Sequence, residues 1–339
     1  MVTMRDVAER AGVSVTTVSH VMNATRPVSD DVARRVRQAM DDLEYQPNLL
    51  ARSLRKGQSL AIGMVVPDSV NPFFAEVAHG IEDTGFAQGY TVVLCNSGGD
   101  LERELVYVSK LVERQVDGII IVAAGLSSER ICDLQDRSVP VVVVDRRLNG
   151  VAAGVDSVLV DNERGGWLAT QHLLELGHRR IGCITGPFDL TPSAERVTGY
   201  RRALEEAGIA YDSTLVVRGD FQHASGFTAA SQLLSLPGPP TAIFACNDLM
   251  AMGAIGAATA SGRRVPDDLS IAGFDDVRLA AFTNPALTTI AQPKFEMGKL
   301  AASLLVERIK GADIEPRHYT LDVHLVVRAS TGPVAREAA

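Results

Sequence analysis

Apolar residues in the first 45 positions recur at helical spacing. Val7, Ala8 and Ala11 fall at i, i+1 and i+4, and Val15, Val18 and Met22 at i, i+3 and i+7. Gly12, between the two stripes, suits a turn with φ > 0. Thr3 followed by Asp6 predicts a capped helix start, and Ser14 predicts a second. The stretch "SVTTVSHVMN" (14–23) is strand-like in composition, because β-branched residues favour sheets. Its periodicity nevertheless predicts a helix, giving a helix–turn–helix unit or an ordinary αα-hairpin. A third helix is expected over 28–45, with Val32, Val36, Ala39 or Met40 and Leu43 as its stripe, Ser29 or Asp30 as cap and Pro47 as stop. "NLLARSLRKGQ" reads as a short helical linker ended by Gly57.

From residue 60 the pattern changes. Short continuous apolar runs ("LAIGMVV", "YTVVLC", "GIIIVA", "VVVVD", "VLVD", "RIGCIT", "TAIFACN", "LSIAGFD") alternate with amphipathic helical stretches. Unbroken apolar strands separated by helices mean parallel βαβ units covered on both faces. The series occurs twice with a break near 155–162, which predicts two doubly wound lobes. The tail adds a strand, a helix and a last strand. The expected fold is an all-α helix-turn-helix head plus an α/β body of two parallel-sheet lobes. The head spans 1–46, a linker 47–58 and the body 59–330. Lobe 1 takes about 59–160 and 293–320, and lobe 2 about 161–291 and 321–330.

The composition fits this plan. The chain has 339 residues, 46% hydrophobic and 22% charged, enough for a sizeable core. Net charge is −8, which excludes a basic coat, but residues 1–60 hold 9 Lys+Arg against 7 Asp+Glu. A slightly basic head on an acidic body suits DNA binding. "MVTMRDVAER" lacks the apolar stretch of a secretory signal, and no apolar run is long enough to span a bilayer, so the expected location is cytoplasmic, with no membrane partner. Cys95, Cys132, Cys183 and Cys246 show no metal-binding spacing and read as buried free thiols. No phosphate loop, nucleophile elbow or H-E-x-x-H motif is present, which weighs against an enzyme. No metal or cofactor is expected.

In parallel α/β lobes, ligands bind beyond the carboxyl ends of the strands. The residues there are Asn71, Phe73 and Phe74; Asp145 and Arg146; Arg196; Phe221; Asn247; Asp275; and Gln292. Carboxylates, amides and guanidiniums suit adjacent hydroxyls of a polyol, and phenyl rings suit the C–H faces of a sugar. Asn and Asp in such places also serve as caps and turns, a role that Arg146 and Arg196 do not have.

Head and body together resemble the lactose-repressor (LacI) family of bacterial transcription regulators. The resemblance is carried by "DVAERAGVSVTTVSHVMN", "IGMVVPDSVNPFFAEVAHGIED", "GHRRIGCITGP", "PTAIFACNDLMAMGAIGA" and "PDDLSIAGFDD", among others, and runs from about residue 3 to 330. It is nearest to the ribose- and purine-repressor branch, whose ligand core is shared with periplasmic sugar-binding proteins. The resemblance implies that the second helix enters the major groove, with Val15, Thr16 and His20 on base edges and Ser14, Thr17, Ser19 and Asn23 on phosphates. It implies that Leu54 of the linker wedges into the minor groove. It also implies a homodimer on a palindromic operator, responding to an effector held by the strand-end residues. Ribose or a similar sugar is the expected effector and a purine base the alternative; Arg146 and Asn247 favour the sugar.

Overall fold

The computed structural model describes residues 2–23, 25–45, 58–122, 134, 139–146, 154–311 and 315–334. Pro47, the linker with Leu54, and Cys132 lie outside the described residues. Two compact units form, Met1–Ser59 and Leu60–Ala339.

The first unit contains α1 (Met4–Ala11), α2 (Val15–Asn23) and α3 (Asp30–Asp42). Thr3 and Asp6 cap α1 reciprocally, each side chain taking the other's backbone N–H. Gly12 ends it at φ +65°. Ser14 Oγ accepts from Thr17 N at 3.1 Å and starts α2. Helix α3 is shorter than expected, and Ser29 stands at its N-cap without a side-chain bond. Val7, Ala8, Ala11, Val18, Val36 and Ala39 form the core, with Val21, Met22, Val32 and Met40 packed around it. The expected stripe on α2 is corrected at one position: Val15 is 43% exposed, and Val18, Val21 and Met22 face inward instead.

In the second unit one sheet comprises β1 (Ala61–Val66), β2 (Thr91–Asn96), β3 (Gly118–Ile121), β4 (Val141–Val144), β5 (Asp156–Val160) and β11 (His318–Leu321). Its order is β11-β5-β4-β3-β1-β2 and every pairing is parallel. The other sheet comprises β6 (Ile181–Thr185), β7 (Val216–Arg218), β8 (Ala242–Ala245), β9 (Ser270–Asp275), β10 (Thr288–Ala291) and β12 (His324–Val326). Its order is β12-β10-β9-β8-β6-β7, with only β12 antiparallel. The runs "GIII" and "VVVV" become fully buried inner strands, as expected of strands covered on both faces. The single last strand expected in the tail is two strands, one in each sheet. Among the described residues the chain passes between the sheets at 161, at 292–293 and at 322–323.

Helices α4 (Pro72–Ala87), α5 (Leu101–Glu113), α6 (Asn162–Glu175), α7 (Thr191–Glu206), α8 (His223–Leu234), α9 (Asp248–Ala260) and α10 (Lys294–Ile309) cover the sheets. Three helix pairs meet backbone to backbone through reciprocal glycines. Gly80 and Gly298 join α4 to α10, Gly166 and Gly199 join α6 to α7, and Gly226 and Gly253 join α8 to α9. A Cβ at any of the six would lie against the opposing helix's carbonyl oxygen, well inside 3.0 Å. Cys183 and Cys246 are buried thiols; Cys95, on edge strand β2, is only half-buried, because that strand is partly open to solvent.

Candidate functional site

A cavity of about 410 Å³ opens where the carboxyl ends of both sheets face each other. Nine of the ten expected strand-end residues line it: Asn71, Phe73, Phe74, Asp145, Arg146, Arg196, Phe221, Asn247 and Asp275. Gln292 does not. Its Nε2 donates to Asp275 Oδ1 at 2.7 Å, so it holds the lining carboxylate.

Local chain chemistry aims these groups. Asn71 caps α4 through Phe73 N at 3.0 Å, which sets Phe73 and Phe74 on the first turn in edge-to-face contact. Asn247 caps α9 through Met250 N, and its Nδ2 donates to Phe221 O. Both asparagines therefore have the capping role as well as a place in the wall. Asp145, Phe221 and Asp275 take φ of +71°, +68° and +111°. Side chains rarely tolerate that region, and its recurrence at one cavity is a mark of a functional site.

Charge is concentrated and paired here. Arg146 Nε lies 3.6 Å from Asp145 Oδ2, and Arg196 Nη1 lies 3.7 Å from Asp275 Oδ1. Arg196 is locked on three sides. Its Nε donates to Asn162 Oδ1 at 2.8 Å, its Nη1 donates to Cys246 O, and its guanidinium stacks 3.7 Å above the Phe274 ring. Burial pushes the Asp145 carboxyl above its ordinary range, against the pull of Arg146 and Arg196. Burial raises Asp275 to about 6, against Arg196 and Lys294. Behind it Asp248 is pushed well up by burial and by the charge of Asp275, while accepting from Thr289 Oγ1 and Val277 N.

Sequence reasoning missed several contributors. Asp68 and Gln222 line the mouth, and Gln222 Nε2 donates to Asp68 Oδ2 at 2.8 Å, joining one lobe to the other. Each lies within three residues of an expected site residue, a signal that was there to use. Asn162 stands two residues past Val160, the end of β5, as the first residue of α6, which Asp161 caps. Among the described residues no cluster of metal-binding side chains occurs, and no helix is long and apolar enough to cross a membrane.

In the head unit Ser14, Val15 and Thr16 are exposed, while Thr17, Ser19, His20 and Asn23 are half-buried. Val15, Thr16, Ser19, His20 and Asn23 share one face of α2 by helical spacing. His20 Nδ1 lies 2.8 Å from Thr25 Oγ1, and Asn23 Nδ2 donates to Ser19 O at 2.8 Å.

Comparison with known proteins agrees with both units. Residues 3–48 match the bacterial regulatory proteins, lacI family, and residues 170–331 match the periplasmic binding protein-like domain. The HTH-type transcriptional repressor PurR of Aliivibrio fischeri (strain MJ11) is 42% identical over 333 residues, covering 97% of this chain and 98% of the relative. A LacI family transcriptional regulator from Enterococcus faecium, solved with bound ribose, is 35% identical with a TM-score of 0.74, over 81% of this chain and 99% of that one. The lac repressor dimer bound to operator and the anti-inducer ONPF is 31% identical with a TM-score of 0.87, over 98% and 99%.

Proposed function

This chain belongs to the LacI family of bacterial regulatory proteins, as a DNA-binding, ligand-responsive repressor, and on that premise we propose that its effector is a small sugar, ribose or a close relative. The observation that carries this reading is the two carboxylate–guanidinium pairs in one cavity, Asp145–Arg146 and Arg196–Asp275. Each offers an acceptor beside a donor, and a vicinal diol, whose hydroxyls both donate and accept, matches two such pairs better than a flat base does. Phe73, Phe74 and Phe221 supply the apolar plates. The cavity lies in the size range of small-molecule sites.

A purine base is the second reading, favoured by the name of the Aliivibrio relative. Arg196 and Asp275 suit a purine edge, but Asp145 and Arg146 then stand unused. Calorimetric titration of the chain with D-ribose, hypoxanthine and guanine decides. Micromolar ribose binding that is lost in Arg146→Ala is expected. Purine binding that is indifferent to Arg146→Ala sinks the sugar reading.

The head binds a palindromic operator as half of a homodimer, in this proposal, and effector binding releases it. The exposed Val15, Thr16 and the half-buried His20 read base edges, Ser14, Thr17, Ser19 and Asn23 hold phosphates, and Leu54 wedges the minor groove. His20→Ala is expected to weaken operator binding by about 1–3 kcal/mol and leave binding to unrelated DNA unchanged. Gel shifts on operator and on scrambled duplex measure both. Equal loss on the two duplexes removes His20 from base readout.

A further inference from the structure

Asp275 is held from behind by a residue that the cavity itself does not contain. Lys294 begins α10, directly after the crossover at 292–293, and its side chain is 5% exposed. Its Nζ donates to Asp275 O and to Asp276 O, the second at 2.9 Å, and lies 3.6 Å from Glu76 Oε2 on α4. The two carbonyls belong to consecutive residues at φ +111° and +52°. Neither is glycine, so this backbone is costly and persists only where surrounding bonds hold it. Arg328 adds a third tie, donating to Asp276 Oδ1 at 2.6 Å. On the other side of the crossover Gln292 grips the Asp275 side chain.

We propose that Lys294 is a positioning residue for the effector site. Its ammonium draws the carbonyls of Asp275 and Asp276 together, keeps that turn left-handed, and so aims the Asp275 carboxylate at the cavity beside Arg196. Because Lys294 and Glu76 belong to the lobe of β1–β5, while Asp275 ends β9 of the other lobe, the same contact ties the effector carboxylate to interlobe geometry. A group displaced by a fraction of an ångström loses its ligand even when the fold survives. The inference builds on the proposed effector cavity.

The test uses the full chain as wild type, Lys294→Met and Lys294→Arg. Crystals of the effector-free Met variant are expected to show residues 275 and 276 outside the left-handed region; an unchanged turn overturns the proposal whatever the effector is. In titrations with D-ribose, hypoxanthine and guanine, the Met variant is expected to bind the wild type's ligand about 10- to 100-fold more weakly, and Arg to recover part of the loss. The pH midpoint of binding is expected to rise in the Met variant. Of the charged groups facing Asp275, namely Arg196, Lys294, Asp145 and Asp248, one cation is then gone. Circular dichroism confirms that each variant is folded. A folded Met variant with wild-type affinity and an unmoved midpoint overturns the proposal. If no probe binds the wild type, the effector reading fails and the crystal structure alone decides Lys294; should the Met variant not fold, Lys294→Gln takes its place in both measurements.

Discussion

Asp275→Asn is expected to leave a more stable protein that no longer answers its effector. Burial raises this carboxyl from the ordinary 3.8 to about 6. Between those values the folded chain keeps a proton that the unfolded chain has released, so stability falls as pH rises through the window, and the full cost is present above about 6. Asparagine cannot ionise and escapes that cost, which is on the order of 1–3 kcal/mol at pH 7.5. It also relieves Asp248, which the Asp275 charge disfavours. Urea unfolding at pH 7.5 should show the variant more stable, and at pH 4 the two proteins should nearly coincide. A gain that persists unchanged at pH 4 contradicts the ionisation account. Effector affinity, by contrast, should drop by about 100-fold, because a charged acceptor beside Arg196 is lost. In the wild type, affinity should weaken as pH falls from 7 towards 5 and the carboxylate takes up its proton. Loss of stability for the sake of a poised site is a recurrent trade in binding proteins.

Gly199→Ala is expected to cost at least about 3 kcal/mol, the upper range for overpacking, because the added methyl meets a backbone carbonyl that has no rotamer to change. The opposing atom is Glu163 O on α6, so α7 must lift away from its partner. Since Arg196 is one turn upstream on α7, with its guanidinium tied to Asn162 of α6, effector affinity should fall together with stability. Gly256→Ala on α9 is the control. There the new methyl finds only ordinary contact with the Phe227 ring, and a helical glycine becomes a better helix former. A gain of about 0.5–1 kcal/mol is expected. Thermal melts of the two variants test the contrast, and equal effects at the two positions refute the packing argument.

What the chain disclosed in advance was whatever depends on period and run length. The stripes of α1 and α3, the all-apolar strands and the residues after them needed no partner to be read. The wall of the cavity followed because parallel sheets place those residues at one end. What escaped depends on contacts distant in sequence. Val15 matched the α2 stripe by spacing but faces solvent, while Val18, Val21 and Met22 take the inward positions of that helix. Gln292 and Lys294 stand behind Asp275, 17 and 19 residues along the chain, and no local pattern tells lining from support. The interruption at 322–323 is two residues long, too short for periodicity to split the tail into two strands, although the change of lobe there falls beside the boundary expected at 320–321.

The three passages between sheets bear on the order in which the chain is made. Among the described residues, those that form the core of the head lie within the first 45 positions, so they are together as soon as that stretch clears the ribosome. Neither lobe does. The first waits for α10 and β11, and the second for β12, which ends at Val326. A message that stops early, or a nascent chain cut in its last tenth, therefore yields a head with its core in place and no finished sensor.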